Sequence, residues 1–566
     1  MIDPTRLCAT LFLSIGAVMA QSALAAELHV PAQFPTIHEA IMAAEEGDEV
    51  IVAPGTYSRT GAPIWTSVDT GGKSITVRSS DGAAVTILDG AGAQIVRLTM
   101  GEAPETLLKG FTLRNGGGQS GRGGAVYLNG SGLTVSGCVF ENNAANIGGA
   151  AAHEGGSVAT YIDCVFKNNS GIVGGAVANF DSEATYTDCE FESNTTMHPS
   201  AQAEGGAASN RNSVVEYRRC EFRGNASENV GGALDVRIGS SVALVDCVVE
   251  NNESTRGGGV YSALDSAFSA VNTRFLGNRA NEFGGGVHST FNESLTLVNC
   301  EFSGNQSGLL VGRRGGGVYA QNHTGEVRIV NCTFANNTTR TTLGAGIAST
   351  FDASLVISNT IVWGNLTRFG IDDVDPTLTE TGQIHILDAT STDIAHSIID
   401  QFENTPGVAL SGADPLLIDP AGSDGVFGTI DDDNRPGPGS PAIDAGNNTL
   451  LPNDDFDIDE DGDTMEQIPL DLAGNPRRMD DPDVPDTGVG DAPIVDIGAY
   501  EAPGDVAKPC PGDTNGDNVV DFADLSAVLS DFGQTGVGIP GDVNGDGEVD
   551  FADLSIVLGA FGTVCD

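Results

Sequence analysis

Apolar positions return along this chain at a fixed interval. A unit of Cys-x-Phe-x-x-Asn, followed by Gly-Gly-(Ala/Gly) and an apolar residue, repeats with steps of 25 to 32 residues. The cysteine column reads Cys138, Cys164, Cys189, Cys220, Cys247, then Thr273, Cys300, Cys332 and Thr360. Two residues on lies a column of Phe140, Phe166, Phe191, Phe222, Val249, Phe275, Phe302, Phe334 and Val362, and three further an asparagine column from Asn143 to Asn365. Such a unit is too short for a helix pair once its turns are subtracted, but it fits one coil of a β-solenoid with three short strands. Parallel stacking sets each coil roughly 4.8 Å above the last, so equivalent residues form ladders and internal layers stay evenly packed. The asparagines and the Gly-Gly pairs are read as corners, because both tolerate left-handed backbone. On that reading, sequons such as Asn225-Ala-Ser are structural rather than glycosylated.

Ahead of the repeats, Thr36 to Glu46 reads as a short amphipathic helix with a Thr36-x-x-Glu39 capping box, ended by Gly47. It would cover the open strand edges at the start of the solenoid. The segment Val30-Pro31 to Tyr57, with Pro54-Gly55-Thr56-Tyr57, resembles the entry segment of right-handed parallel β-helix proteins, and the repeat units are similar to those of the chlamydial polymorphic outer-membrane proteins. The expected fold is therefore an all-β right-handed parallel β-helix over 27–410, followed by an acidic loop-rich cap over 411–505 and a small calcium-loop domain over 506–566. Gly439 to Gly446 and Asp496-Ile-Gly-Ala-Tyr-Glu501 resemble the cap that ends many bacterial β-helix proteins.

Charge sharpens this division. The chain of 566 residues carries 76 glycines and a formal net charge of −51. Residues 411–566 hold 35 acidic against 4 basic residues, or −31 of that total. Such a surface repels nucleic-acid phosphates and anionic lipid, and it suits divalent cations. Arg6, the apolar run Leu7–Met19 and Ala23-Leu24-Ala25 read as a cleaved secretory signal peptide over 1–25, and no run is long enough to span a membrane. The expected localisation is extracellular, free or held at the cell surface through a partner.

The sharpest site signal lies at the carboxyl end. Asp513, Asn515, Asp517, Val519, Asp521 and Asp524 are repeated 29 residues later as Asp542, Asn544, Asp546, Glu548, Asp550 and Asp553. Oxygen donors at positions 1, 3, 5, 9 and 12, with the carbonyl at 7, form the hard ligand set that Ca²⁺ prefers. Gly547 supplies the left-handed sixth position in the second loop and Asn518 in the first. An apolar helix follows each loop. Loop then helix, twice, with Asp at position 12, resembles a type I dockerin. The resemblance implies two calcium ions, a cohesin-like protein partner, and partner contacts at Phe522, Ala523, Phe551 and Ala552. Many members of that family carry polar residues at these contact positions. Cys510 and Cys565 bracket the module, and a disulfide between them is expected to tie its ends. The solenoid cysteines, side by side in a parallel ladder, are expected to remain buried thiols. Asp457-x-Asp459-x-Asp461-Gly462-Asp463 offers either a further calcium site or a solvated acidic loop.

Whether the solenoid is an enzyme is less legible. The residue sets of polygalacturonases, pectinesterases and pectate lyases are not found. The column after the Gly-Gly corners places Asp235, Tyr261, His288 and Tyr319 on consecutive rungs, pointing outward. It reads as solvated surface, as a ligand shelf with rings for sugar stacking, or as a catalytic site with Asp235 as its single carboxylate. The expectation is a secreted binding or adhesion arm with a polysaccharide as candidate ligand; the alternative is a polysaccharide lyase or glycosidase acting on a pectin-type substrate.

Overall fold

A computed structural model describes residues 25–58, 68–118, 121–196, 203–308, 314–340, 344–369, 377–379, 382–400 and 407–502, and, beyond these, 512, 514, 519–520, 522–534, 539, 541, 543 and 549–562. The expected signal peptide as far as Leu24, together with Cys510 and Cys565, lies outside the described residues. So do Asp513, Asn515, Asp517, Asp521, Asp542, Asn544, Asp546 and Glu548.

The repeat folds as a parallel β-solenoid. Each full coil contributes four short strands rather than the three expected. In one coil these are Leu234–Arg237 (face D), Ser241–Val245 (face A), Val248–Glu250 (face B) and Glu253–Arg256 (face C). Face D stacks into an eleven-stranded sheet and face C into a nine-stranded one, with faces A and B merging into a third. The additional corner falls just before the cysteine column, where Asp163, Asp188, Arg219, Asp246, Asn272, Asn299, Asn331 and Asn359 all have positive φ. A left-handed residue there splits one apparent strand into faces A and B.

Register carries each side-chain type up the core. Phe140 stacks on Phe166 at 4.6 Å and Phe166 on Phe191 at 4.8 Å, close to the rung spacing. The seven described cysteines are buried and free, and Cys247 donates its thiol to the Tyr217 carbonyl at 3.2 Å. Burial pushes the Cys138 thiol up to about 12. The second glycine of each Gly-Gly pair has no room for a side chain: a Cβ on Gly206 would lie 2.0 Å from the Gly232 carbonyl of the next rung.

The asparagine column has a different role from the one expected. The left-handed residue is the one before it, as in Asn142, Asn168, Ser193, Gly224 and Asn251. The column itself turns inward and is fully buried. Asn194 donates its backbone N–H and its Nδ2 to Asn225 Oδ1, both at 3.0 Å, and Asn225 Nδ2 donates to the Phe191 carbonyl at 2.8 Å. The same links run from Asn143 to Asn365, so the corner is held by a continuous amide ladder.

At the amino end a helix, α1 (Ile37–Ala43), is capped by Thr36 Oγ1, which accepts from the Glu39 amide at 3.1 Å. It stops three residues short of Glu46, and Lys73 Nζ donates to its terminal carbonyls at Ile41 and Ala44. Ile37, Ala40 and Ile41 join the solenoid core. The loop-rich segment after 411, read as a terminal cap, lies along the flank of the solenoid. Leu451, Ile458, Ile468 and Val495 pack on the outward Val245, Val271 and Val298 of face A, and Ala442 and Ile497 pack on Ile361 and Ile398. Tyr500 donates its hydroxyl at 2.6 Å to the buried Glu301, which also pairs with Arg274 at 2.7 Å. Among the described residues no helix is long and apolar enough to cross a membrane.

Two further helices, α2 (Phe522–Asp531) and α3 (Phe551–Ala560), follow the acidic loops and share a small core of Val520, Val528, Val549 and Val557. Their ends are related in pairs: Gly533 donates to the Val549 carbonyl and Gly562 to the Val520 carbonyl, each at 2.8 Å.

Candidate functional site

Face D places the proposed shelf as the alternation demands. Asp235 pairs with Tyr261, Tyr261 with His288, and His288 with Tyr319 on successive rungs. The column is outside the core, yet it is not an open shelf: Asp235 is 0%, Tyr261 8%, His288 3% and Tyr319 4% exposed. Side chains from the preceding corner fold over it. Arg256 lies over the Tyr261 ring at 5.6 Å, and Phe283 stacks on Tyr319 at 5.1 Å. Asp235 is held by Arg237 at 2.8 Å and by the Ser209 hydroxyl at 2.9 Å, and Glu204 pairs with both Arg211 and Arg237. Strand alternation assigned the direction of these side chains correctly but holds no information on what covers them.

The chemistry of this column is that of packing. Burial, with Arg256 and His323 nearby, pushes His288 down to about 3, so its ring is neutral at physiological pH. Among the described residues neither ring nitrogen has a hydrogen-bond partner, and the ring sits against Tyr261, Phe283 and Tyr319. Burial raises Asp235 despite Arg237.

A second constellation was not read from the sequence. A column of Ser182, Ser213, Ser240 and Ser266 lines the corner between faces D and A, the later hydroxyls each accepting from the amide one rung below. Toward the carboxyl end the column becomes Asn292, His323 and Asp352. There His323 Nε2 lies 2.8 Å from Ser289 Oγ, and its Nδ1 lies 2.9 Å from Asp352 Oδ1. The connectivity is that of a nucleophile, base and orienting carboxylate. Ser289 and Asp352 are nevertheless 0% exposed and His323 3%, and Asn292 Nδ2 donates to the same serine oxygen at 2.8 Å. Sealed within the solenoid, the chain of hydrogen bonds satisfies buried polar groups and meets no substrate. The serine column at the repeat interval was the available signal.

Open space lies instead along face C. A hollow of about 670 Å³ is lined by Gly117, Ala144, Asn146, Ser170 and Thr195. A second, of about 520 Å³, is lined by Thr195, Ala226, Ser227, Glu228, Glu253 and Asn281. They share Thr195, and register links Gly117, Ala144, Ser170, Thr195, Ala226 and Glu253 as one ladder. The groove therefore follows the solenoid axis over five rung steps, about 24 Å at the parallel-strand spacing. Small residues keep its floor low, hydroxyls, amides and the Glu228 and Glu253 carboxylates face it, and among the described residues no Lys or Arg lines it. Sequence reading passed over this face because its strands are only two residues long in most coils.

Of the predicted calcium ligands, the described ones are Val519, Asp524, Asp550 and Asp553. Asp524 and Asp553 are fully buried, and Asp553 Oδ1 accepts from the Val543 amide at 2.8 Å, matching Thr514 N to Asp524 Oδ1 at 2.7 Å. Asp550 caps α3 through the Ala552 amide. The proposed partner contacts are on the surface: Phe522 is 74% and Phe551 72% exposed.

No family model matches the chain, and no curated protein matches it. Similar solved structures include a PL6 alginate lyase in complex with a trisaccharide, at 13% identity and a TM-score of 0.32, covering 68% of this chain and 84% of that one. Another is the A-module of the Azotobacter vinelandii mannuronan C-5 epimerase AlgE4, at 12% identity and a TM-score of 0.27, covering 65% of this chain and 91% of that one. At these identities the likeness concerns fold alone.

Proposed function

We propose that this is a secreted polysaccharide-binding solenoid, held to a cohesin-like partner through its calcium-loop module. The face C groove carries the reading. Its length suits an extended chain, its polar lining suits hydroxyl groups, and the steric freedom of its Gly and Ala floor admits a sugar ring. Lined by no lysine or arginine among the described residues, and set on a chain of net charge −51, it favours a neutral glycan over a polyanionic one. The dockerin-like module would supply attachment, with two calcium ions ordering the loops and Phe522, Ala523, Phe551 and Ala552 meeting the partner.

Affinity electrophoresis against neutral and acidic polysaccharides tests the groove. Wild type should be retarded by a neutral glycan and Ala144→Trp, which fills the groove at an exposed position, should not; equal migration of the two sinks the reading. Calcium-dependent capture of a partner from the source organism's secretome, lost in Phe522→Ala/Phe551→Ala, tests attachment.

The lyase or glycosidase alternative also has an observation in its favour. Glu228 and Glu253 line the same groove on neighbouring rungs, and glycoside hydrolysis needs two carboxylates. New reducing ends or unsaturated products that disappear in Glu228→Gln or Glu253→Gln would replace the binding reading.

A further inference from the structure

The flank segment holds a concentration of carboxylates that the solenoid does not explain. An antiparallel bridge between Asn453 and Gln467 closes the loop 454–466 at its base. One carboxylate oxygen each of Asp454, Asp459 and Glu466 lie within 4.8 Å of one another, and so do those of Asp457, Asp459 and Asp461. Asp459 belongs to both sets. Among the described residues no basic side chain pairs with any of these five. Two arginines that reach the loop meet other groups than these carboxylates: Arg218 donates to the Phe456 and Asp457 carbonyls, and Arg219 pairs with Glu460.

Clustering of acidic side chains on a surface is common, but two buried atoms separate this loop from that background. Asp454 is only 1% exposed. Its Oδ2 accepts from the Ile458 amide at 2.8 Å, while its Oδ1 is buried without a partner among the described residues. Glu466 Oε1 is likewise buried and unpartnered. Both residues belong to the set whose carboxylates converge with Asp459. A buried carboxylate oxygen without a donor is costly, and a cation at the point of convergence removes that cost.

We infer that the loop 454–466 binds one Ca²⁺, with Asp454, Asp459 and Glu466 as its anchoring ligands and Asp457 and Asp461 completing the shell. The donor set is oxygen only, without histidine or cysteine, which matches a hard cation. Five carboxylates within one short loop suit the larger, less regular sphere of calcium better than the octahedral shell of magnesium. The site also has a structural consequence. Phe456 and Ile458, inside the loop, pack with Val245, Val271 and Val298 of face A, so the ion would fix the flank segment against the solenoid.

This inference is independent of the glycan reading and of the carboxyl-terminal loops. The test counts calcium bound to the full-length protein by calorimetry after chelator treatment, in wild type, Asp459→Asn, Glu466→Gln and the exposed control Asp455→Asn. Asp459 is on the surface, so its substitution leaves the packed side chains in place. The two ligand variants should each bind one ion fewer than wild type and the control the same number. Proteolysis within 454–466 should slow with calcium in wild type and in the control, but not in Asp459→Asn. Unchanged stoichiometry in both ligand variants would overturn the site. Equal uptake of magnesium at the lost site would overturn its assignment to calcium.

Discussion

Replacing Asn225 by alanine probes the amide ladder at its centre. The side chain is fully buried and serves two neighbours, accepting from the Asn194 amide at 3.0 Å and donating to the Phe191 carbonyl at 2.8 Å. Asn225→Ala therefore strips both backbone groups of this partner, while Asn194 Nδ2 keeps its bond to the Phe166 carbonyl at 2.8 Å. The Phe191 carbonyl keeps its ladder bond to the paired strand of the next rung, so the one group left unsatisfied is the Asn194 amide, and at about 1–3 kcal/mol for a buried backbone group the rung should lose about 1–3 kcal/mol. Solenoid rungs exchange energy mainly with their neighbours, so the loss is local and a single global melting curve is a poor reporter. Hydrogen exchange followed by mass spectrometry reads it directly. Peptides covering 189–231 should exchange at least about fivefold faster, the lower bound converted at about 1.4 kcal/mol per decade, whereas peptides covering 326–360 should be unchanged. The exposed control Glu192→Ala should alter neither. If the 189–231 peptides of Asn225→Ala exchanged at wild-type rates, the ladder would be geometry without energetic weight.

Two other outcomes follow from buried groups. His288, held down to about 3 against 6.5 when unfolded, contributes stability that is complete above pH 6.5 and declines as pH falls towards 3. At pH 5 the loss is about 2 kcal/mol. His288→Phe should remove that part of the acid sensitivity, read as a smaller shift in denaturation midpoint between pH 7.5 and pH 5; an unchanged shift would show that the ring titrates freely. His153, pushed down by burial to about 4, adds a slope of the same sign. In thiol titration, seven more cysteines should react in denaturant than in native buffer, matching the seven buried free thiols; rapid native labelling of the column would contradict its place in the core.

The parts of this fold that were legible in the sequence are those a parallel stack repeats. Every rung meets the same environment, so Cys164 and Cys189, or Phe166 and Phe191, recur in register and mark internal layers. What escaped reading was set within a rung or between distant segments. Arg219 in left-handed backbone splits a strand without any glycine to announce it. The outward direction of His288 followed from alternation, but its cover comes from Phe283 at the preceding corner and Arg256 one rung away. Placement of 442–497 against Val245 and Ile361 depends on pairings between remote stretches, for which a local pattern holds no signal. The face C groove is defined by what is missing from its side chains, and small residues leave little trace in a periodicity.

The flank segment gives the molecule two mechanically different halves. Among the described residues, rungs preceding Arg218 have no contact with the flank segment, and under tension they should peel away one at a time. Later rungs are laced crosswise by contacts from Arg218–Phe456 to Ile398–Ala442, so none can detach until that lacing tears. A pulling experiment from the amino end should then record a series of small steps followed by one large rupture.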